Sequence, residues 1–223
     1  FYVLSPVPHL DSGTDWVNHA ETYRLKIQQA LEASVLPELS KHIVAGAGFV
    51  ANFALWYESG YFDIAAELKP LLHLWSLAIE EQFYLLFPII LWAAWKVGFS
   101  AIRLIVAIGL VSLILNLYFI GIDPNATFYL LPTRAWELFA GALLALGAIS
   151  AARQRWLREA LAWSGLLSVT FAVIFYTRET VFPGITALPP VLGAVLLLHS
   201  APGTSVGRLL SLRPFVGVGL ISY

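Results

Sequence analysis

One apolar run, HLWSLAIEEQFYLLFPIILWAAWK at residues 73–96, constrains this chain more than any other feature. It is long enough to cross a bilayer as a helix, which takes about 20 residues. Its first half nevertheless carries His73, Glu80, Glu81 and Gln82. An ionised carboxylate near a bilayer centre costs roughly 2.5–3.5 kcal/mol, so these two are either shielded from lipid or in use. At about 100° per residue, His73, Ser76, Leu77, Glu80, Tyr84 and Phe87 share one helix face, and Glu81 sits about 80° to one side of His73. Trp75, Ile79, Phe83 and Leu86 occupy the remainder. Imidazole, hydroxyl and carboxylate thus form a polar strip on an otherwise apolar helix. Such a strip either holds neighbouring helices together or forms one wall of an intramembrane reaction chamber.

The rest of the chain supports a membrane setting. Of 223 residues, 59% are hydrophobic and 12% charged, about half the charged fraction of a soluble domain. Further apolar segments at 101–122, 128–149, 157–177 and 184–199 read as spans, the last one short and restarted at Pro189-Pro190. The expected fold is an all-α, polytopic transmembrane helix bundle with about five complete spans and partial helices at both ends. Residues 5–72 are polar and acidic on balance, with a short surface helix expected near 19–36. The apolar segment 43–57 is too short for a crossing and reads as re-entrant or interfacial. Its Asn52 suits helix packing as well as a site. The apolar residues at both ends lead us to expect a piece of a longer membrane domain.

Lys and Arg alternate between loops. Lys96 and Arg103 flank one, Arg153, Arg155 and Arg158 mark the next but one, and Arg208 and Arg213 mark the last. The intervening loops hold Asp123 or the single Arg178. Under the positive-inside rule the three basic loops are cytoplasmic. Residues 5–72 then lie outside, and the 73–95 helix runs inward.

Several chemistries lack their residues. There is no cysteine, hence no thiol nucleophile or disulfide. The histidines are scattered and no metal-ligand spacing occurs. No G-x-S-x-G elbow is present, and no basic stripe suggests nucleic acid. What remains is the strip on 73–95 and a second polar pair, Arg134 and Glu137, at i, i+3 spacing in the 128–149 segment. That spacing lets them pair on one face, which lowers the cost of burial. The pair either locks helices together or presents Arg134 to an anionic group, with Glu137 holding it in place. Trp136 is expected to point away, toward lipid.

Three stretches also carry a resemblance. HLWSLAIEEQFYLLFP (73–88) resembles the W-S-L-x-V-E-E-Q-F-Y signature of the acyltransferase-3 family of bacterial integral-membrane O-acyltransferases. FYLLPTRAWELFAGALLAL (128–146) is similar to its R-x-W-E-L-x-x-G segment, and LSLRPFVGVGLISY (210–223) to the start of its late helix. The resemblance implies transfer of an acyl group, usually acetyl, from cytoplasmic acyl-CoA to a hydroxyl of a cell-surface glycan, such as lipopolysaccharide O-antigen or another envelope polysaccharide. It implies no bound cofactor, with acyl-CoA as donor substrate, and a glycan or lipid-linked sugar as acceptor. Membrane lipids are further partners, and the location is the bacterial inner membrane. The family's essential histidine and R-x-x-R motif belong to earlier helices, upstream of Phe1. The wording PTRAWEL also resembles the subgroup with an SGNH-type periplasmic domain downstream.

Acyl transfer needs a base for the hydroxyl proton and donors for the developing oxyanion. Glu80 and His73 are the candidate catalytic groups. Arg134, Glu137, Ser76, Tyr84, Glu81 and Trp75 are the candidate substrate-binding groups, and no metal site is expected. The competing class is a polytopic transporter or a flippase for lipid-linked substrates, which uses intramembrane His, Glu and Arg equally well. The sequence shows no inverted repeat to favour it.

Overall fold

The computed structural model describes residues 13–59, 71–149, 152–177 and 179–221. Among these residues the fold is all helical. In chain order it comprises α1 (Gly13–Ala47), α2 (Ala51–Ser59), α3 (Leu74–Lys96), α4 (Ala101–Phe119), α5 (Pro124–Tyr129) and α6 (Leu131–Ala145). Then come α7 (Arg155–Phe175), a 3₁₀ turn (Gly184–Ala187), α8 (Leu188–Ser200), α9 (Ser205–Leu210) and α10 (Arg213–Ile221). Residues 60–70, part of the 5–72 region expected on the outer side, fall outside the described residues, as do Arg178 and both chain ends.

Three of these helices, α3, α4 and α7, are long and apolar enough to cross a membrane. At 1.5 Å per residue the 23 residues of α3 extend about 34 Å, against a hydrocarbon core of about 30 Å. Their unpacked faces carry Leu85, Ile89, Trp92, Val111, Ile114, Leu167 and Val173. These apolar faces suit acyl chains. The protein is therefore a membrane protein.

The other two segments expected as spans, 128–149 and 184–199, are apolar but interrupted, for a local reason in each case. The segment 128–149 breaks in two. Leu130 is extended (φ −100°, ψ 139°), and Pro132 sits in the first turn of α6, where its missing N–H costs no helical hydrogen bond. Asp123 caps α5 by accepting from the Ala126 N–H at 2.9 Å. The 15-residue α6 is then only about 22 Å long. The segment 184–199 begins as the 3₁₀ turn and restarts as α8 with prolines in its first turn, as Pro189-Pro190 suggested.

The N-terminal region also differs from expectation. One 35-residue helix, α1, replaces the short surface helix and takes in the first part of 43–57. It ends where Phe49 adopts a left-handed conformation (φ 55°) and Val50 N–H closes on Ala45 O at 2.8 Å, a helix-ending turn. The nine-residue α2 that follows spans about 13 Å, far short of a crossing.

Packing sets the directions of the spans. On α4 and α6, Ser112 Oγ donates to Pro132 O at 2.6 Å and accepts from Trp136 N–H at 3.0 Å. Asn116 Nδ2 donates to Thr133 O at 2.9 Å, and Ile105 packs with Phe139 in the core. Ascending numbers on α4 meet descending numbers on α6, so the two are antiparallel. Phe83 and Phe87 of α3 stack on each other and reach Phe139, while Trp75 meets Phe128, so α3 and α6 run parallel. On α7 and α8, Ser168 bonds Pro189 O and Tyr176 bonds Thr186 O, an antiparallel pair. Gly165 and Gly193 face each other there. A Cβ on Gly165 would stand 2.8 Å from Gly193 O, and one on Gly193 would stand 2.9 Å from Gly165 O. Small residues at such a crossing let two backbones approach closely.

A candidate active-site cleft between α3 and α6

The break at Leu130 and the parallel run of α3 beside α6 bring the two polar segments together. Trp75, Ser76, Ile79 and Glu80 of α3 and Arg134, Glu137 and Leu138 of α6 line a cleft of about 90 Å³. Arg134 and Glu137 form the expected pair: Nη2 donates to Oε2 at 3.0 Å and Nε lies 2.9 Å from Oε1. The pair is largely buried, with the two side chains 14% and 18% exposed. Three aromatic rings surround the guanidinium, those of Trp75, Phe128 and Phe182, at 5.5, 5.6 and 5.5 Å from ring centre to Cζ. Each such contact contributes about 0.5–2 kcal/mol, more as water is excluded. Glu137 bonds Nη2 and lies against Nε, and the three rings pack around the cation. Nη1 is buried without a hydrogen-bond partner among the described residues, and so are Nε and Glu137 Oε1, whose 2.9 Å approach is an ionic contact. A guanidinium held in this way offers one fixed donor edge to an anionic or oxyanionic group.

The candidate residues divide. Glu80, Ser76, Trp75, Arg134 and Glu137 gather at the cleft. Glu81 and Tyr84 do not. They line a separate groove of about 720 Å³ with Phe49, Val50, Phe53 and Leu86. His73 precedes the first residue of α3, is exposed, and its carbonyl accepts from Ser76 Oγ at 3.2 Å. It is not among the cleft-lining side chains. The single polar strip drawn on the helical wheel is thus split between two clefts. The wheel put Tyr84 on the face of Glu80, but α2 and the turn before it pack beside the second half of the strip. Trp136 is also corrected. It is 6% exposed and faces Gly109, Leu110 and Leu113 of α4, because α4 covers the side of α6 opposite Arg134.

An amide network missed in the sequence holds this geometry. Gln82 Nε2 donates to Phe49 O at 2.8 Å and to Asn52 Oδ1 at 2.9 Å. Asn52 Nδ2 donates to Tyr129 O at 3.0 Å. Asn52 is fully buried, so α2, α3 and the end of α5 are tied through one side chain. Near the same end, Glu58 accepts from Lys41 Nζ at 2.6 Å and lies 3.2 Å from His42 Nε2. The signal for Asn52 was present, an amide in an apolar segment. Nothing local pointed to its partner 77 positions away. No metal-holding group of His, Cys, Asp or Glu occurs among the described residues.

A membrane-length helix, α3, bordering a polar cleft with a held arginine from α6 and an exposed second acid, Glu80, defines an integral-membrane protein with a polar site among its helices. Comparison with known proteins narrows this class. An uncharacterized protein of Haemophilus influenzae is 30% identical over 182 residues, covering 76% of this chain and 74% of the relative. The peptidoglycan O-acetyltransferase OatA of Listeria monocytogenes is 28% identical over 207 residues, covering 84% of this chain and 33% of the relative. The putative peptidoglycan O-acetyltransferase YrhL of Bacillus subtilis is 32% identical over 185 residues, covering 76% and 29%. The chain belongs to the acyltransferase-3 family of membrane O-acyltransferases. It spans about a third of the length of the relatives named as peptidoglycan O-acetyltransferases. No family model matches the chain, and no solved structure matches it.

Proposed function

We propose that this chain forms part of an enzyme of the bacterial inner membrane that moves an acetyl group from acetyl-CoA to a hydroxyl of a cell-wall glycan. The observation that carries this reading is the convergence of the two family-like segments, 73–88 and 128–146, on one cleft with Glu80 and Arg134 on its opposite walls. The names of the relatives favour peptidoglycan over lipopolysaccharide as acceptor.

In this scheme the acceptor hydroxyl loses its proton as it attacks the thioester carbonyl. The tetrahedral intermediate then expels the CoA thiolate, which takes up a proton. Arg134 supplies Nη1 to the negative charge that develops on the carbonyl oxygen, a stabilisation of about 3–4 kcal/mol for one such donor. Glu137 and the three rings keep that donor in place. Glu80, with Ser76 one turn away, orients the acceptor hydroxyl or holds the cation formed when a base takes its proton. His73, exposed at the start of α3, is an acceptor-side group in this scheme rather than the base in the cleft.

The test uses the full-length protein in membranes with radiolabelled acetyl-CoA and purified cell-wall glycan. Glu80→Gln keeps the shape and removes the charge. It is expected to lower glycan acetylation by about 100-fold or more at unchanged abundance. Near-normal acetylation by that variant removes the role of Glu80. A wild-type protein that moves substrate across vesicles without leaving acetylated glycan would make it a transporter instead.

A further inference from the structure

The arginines at the other end of the bundle converge in three dimensions. Because α7 and α8 are antiparallel, the start of α7 meets the loop after α8. Arg158 Nη2 donates to Pro202 O, and Trp163 Nε1 donates to Ser205 Oγ at 3.0 Å. Glu159 accepts from Ser205 N–H at 3.0 and 3.1 Å and from Ser205 Oγ at 2.6 Å. The charges of Arg155 and Arg208 both act on Glu159. Two arginines thus act on one carboxylate already engaged by Ser205, and the third, Arg158, is tied to the neighbouring Pro202 carbonyl, leaving an excess of positive charge.

Beside them lies a groove of about 630 Å³, walled by Leu197, Leu198, Ala201, Pro202 and Leu210, with Arg208 at its edge. Its hydroxyl, Ser211 Oγ, already donates to Gly207 O at 2.7 Å. Among the described residues no aromatic ring and no carboxylate lines it. Leu198 is 68% exposed on the outer face of α8, so the groove opens sideways along a helix that runs into the apolar layer. An apolar trough with a cationic rim complements an acyl chain attached to a phosphate. A water-soluble nucleotide would find no ring to stack on.

We propose that this groove is a binding site for an anionic phospholipid, the phosphate on Arg208 beside Arg155 and Arg158, and one acyl chain along Leu197, Leu198 and Leu210. The site is separate from the α3–α6 cleft and does not depend on the proposed reaction. Basic pockets between membrane helices take anionic headgroups in this way.

The test uses full-length protein purified in a non-ionic detergent and titrated with phosphatidylglycerol or phosphatidylcholine, with bound lipid counted by native mass spectrometry. The wild type is expected to retain phosphatidylglycerol in preference to phosphatidylcholine. Arg208→Gln is expected to weaken that retention roughly fivefold, the share of one arginine at a membrane surface, while Arg208→Lys preserves it. Arg103→Gln removes a charge on the same end of the bundle and is expected to have no effect. Should Arg208→Gln fail to accumulate, Leu198→Glu must lower phosphatidylglycerol retention instead. The proposal is overturned if the two lipids bind alike, if Arg103→Gln acts as strongly as Arg208→Gln, or if acetyl-CoA displaces the lipid from this site.

Discussion

Replacing Arg134 by alanine separates holding the fold from binding substrate. The change removes two contacts to Glu137, at 2.9 and 3.0 Å, and three ring contacts near 5.5 Å. It leaves a carboxylate with 18% exposure and no cation beside it. Breaking a buried pair from one side costs about 3–5 kcal/mol. Because both groups retain some access to solvent, we expect about 3 kcal/mol. For a chain of this size that corresponds to a fall in the thermal midpoint of about 6–12 °C. The double variant Arg134→Ala/Glu137→Ala has no stranded charge and is expected to regain most of the loss, with a coupling of about 2 kcal/mol. Thermal midpoints of detergent-solubilised full-length protein, followed by fluorescence-detected size exclusion, give both numbers. Acetyl transfer by the same membranes gives the rest, and the double variant is expected to be stable yet inactive. A double variant no more stable than Arg134→Ala would refute the reasoning on the pair, and recovered activity would remove Arg134 from the chemistry.

Other consequences are as direct. Glu81→Gln should impair acetylation much less than Glu80→Gln, because Glu81 lines the α2–α3 groove instead of the cleft; equal losses in the radiolabel assay would contradict that division. Gly165→Ala places a methyl 2.8 Å from Gly193 O, and overpacking of this kind costs about 1–3 kcal/mol, read as a lower thermal midpoint. Cysteines at Ser59 and Gln154, probed on intact cells with an impermeant thiol reagent, should label at Ser59 alone if the basic loops are internal. The reverse pattern would invert the assignment.

Much of this was readable in the sequence where the signal is local. The α3 span, the i, i+3 pairing of Arg134 with Glu137 and the restart at Pro189-Pro190 follow from length, spacing and proline chemistry. The losses occurred where tertiary contacts decide. A helical wheel places Glu80 and Tyr84 on one face, yet cannot say that α6 forms a cleft with the first and α2 borders the second. It also cannot tell which side of α6 will be taken by α4, which is why Trp136 proved to be buried. The interruption of 128–149 could not be read, because the segment is apolar enough for one helix. Composition does not register an extended residue such as Leu130 that changes direction without changing polarity.

That change of direction makes the cleft possible. In an unbroken helix Phe128 would lie six residues before Arg134, about 240° around the axis and about 9 Å along it, on a different face. With Leu130 extended, Phe128 instead turns its ring toward the guanidinium and against Trp75, with ring centres 4.5 Å apart. Pro132 permits the break but does not fix its angle. Thr133 Oγ1 bonds back across the break to Thr127 O and Leu130 O, and Asn52 helps to hold it by gripping the last carbonyl of α5 while Gln82 holds Asn52 from α3. Asn52 does not line the cleft, so its effect on activity should be indirect and separable. Asn52→Ala leaves the Tyr129 carbonyl without this donor, at a cost of about 1–3 kcal/mol. It should lower acetylation by about tenfold through a misplaced Arg134, a shift of order 1 Å being enough for such a loss. Asn52→Asp keeps the acceptor for Gln82 but sets an oxygen against the Tyr129 carbonyl, so it should be at least as damaging. Both variants are assayed in membranes at matched abundance, beside Arg134→Ala/Glu137→Ala. If Asn52→Asp acetylates glycan as well as the wild type, the grip on α5 does not position Arg134, and the break at Leu130 is held by Pro132 and the Thr133 hydroxyl instead.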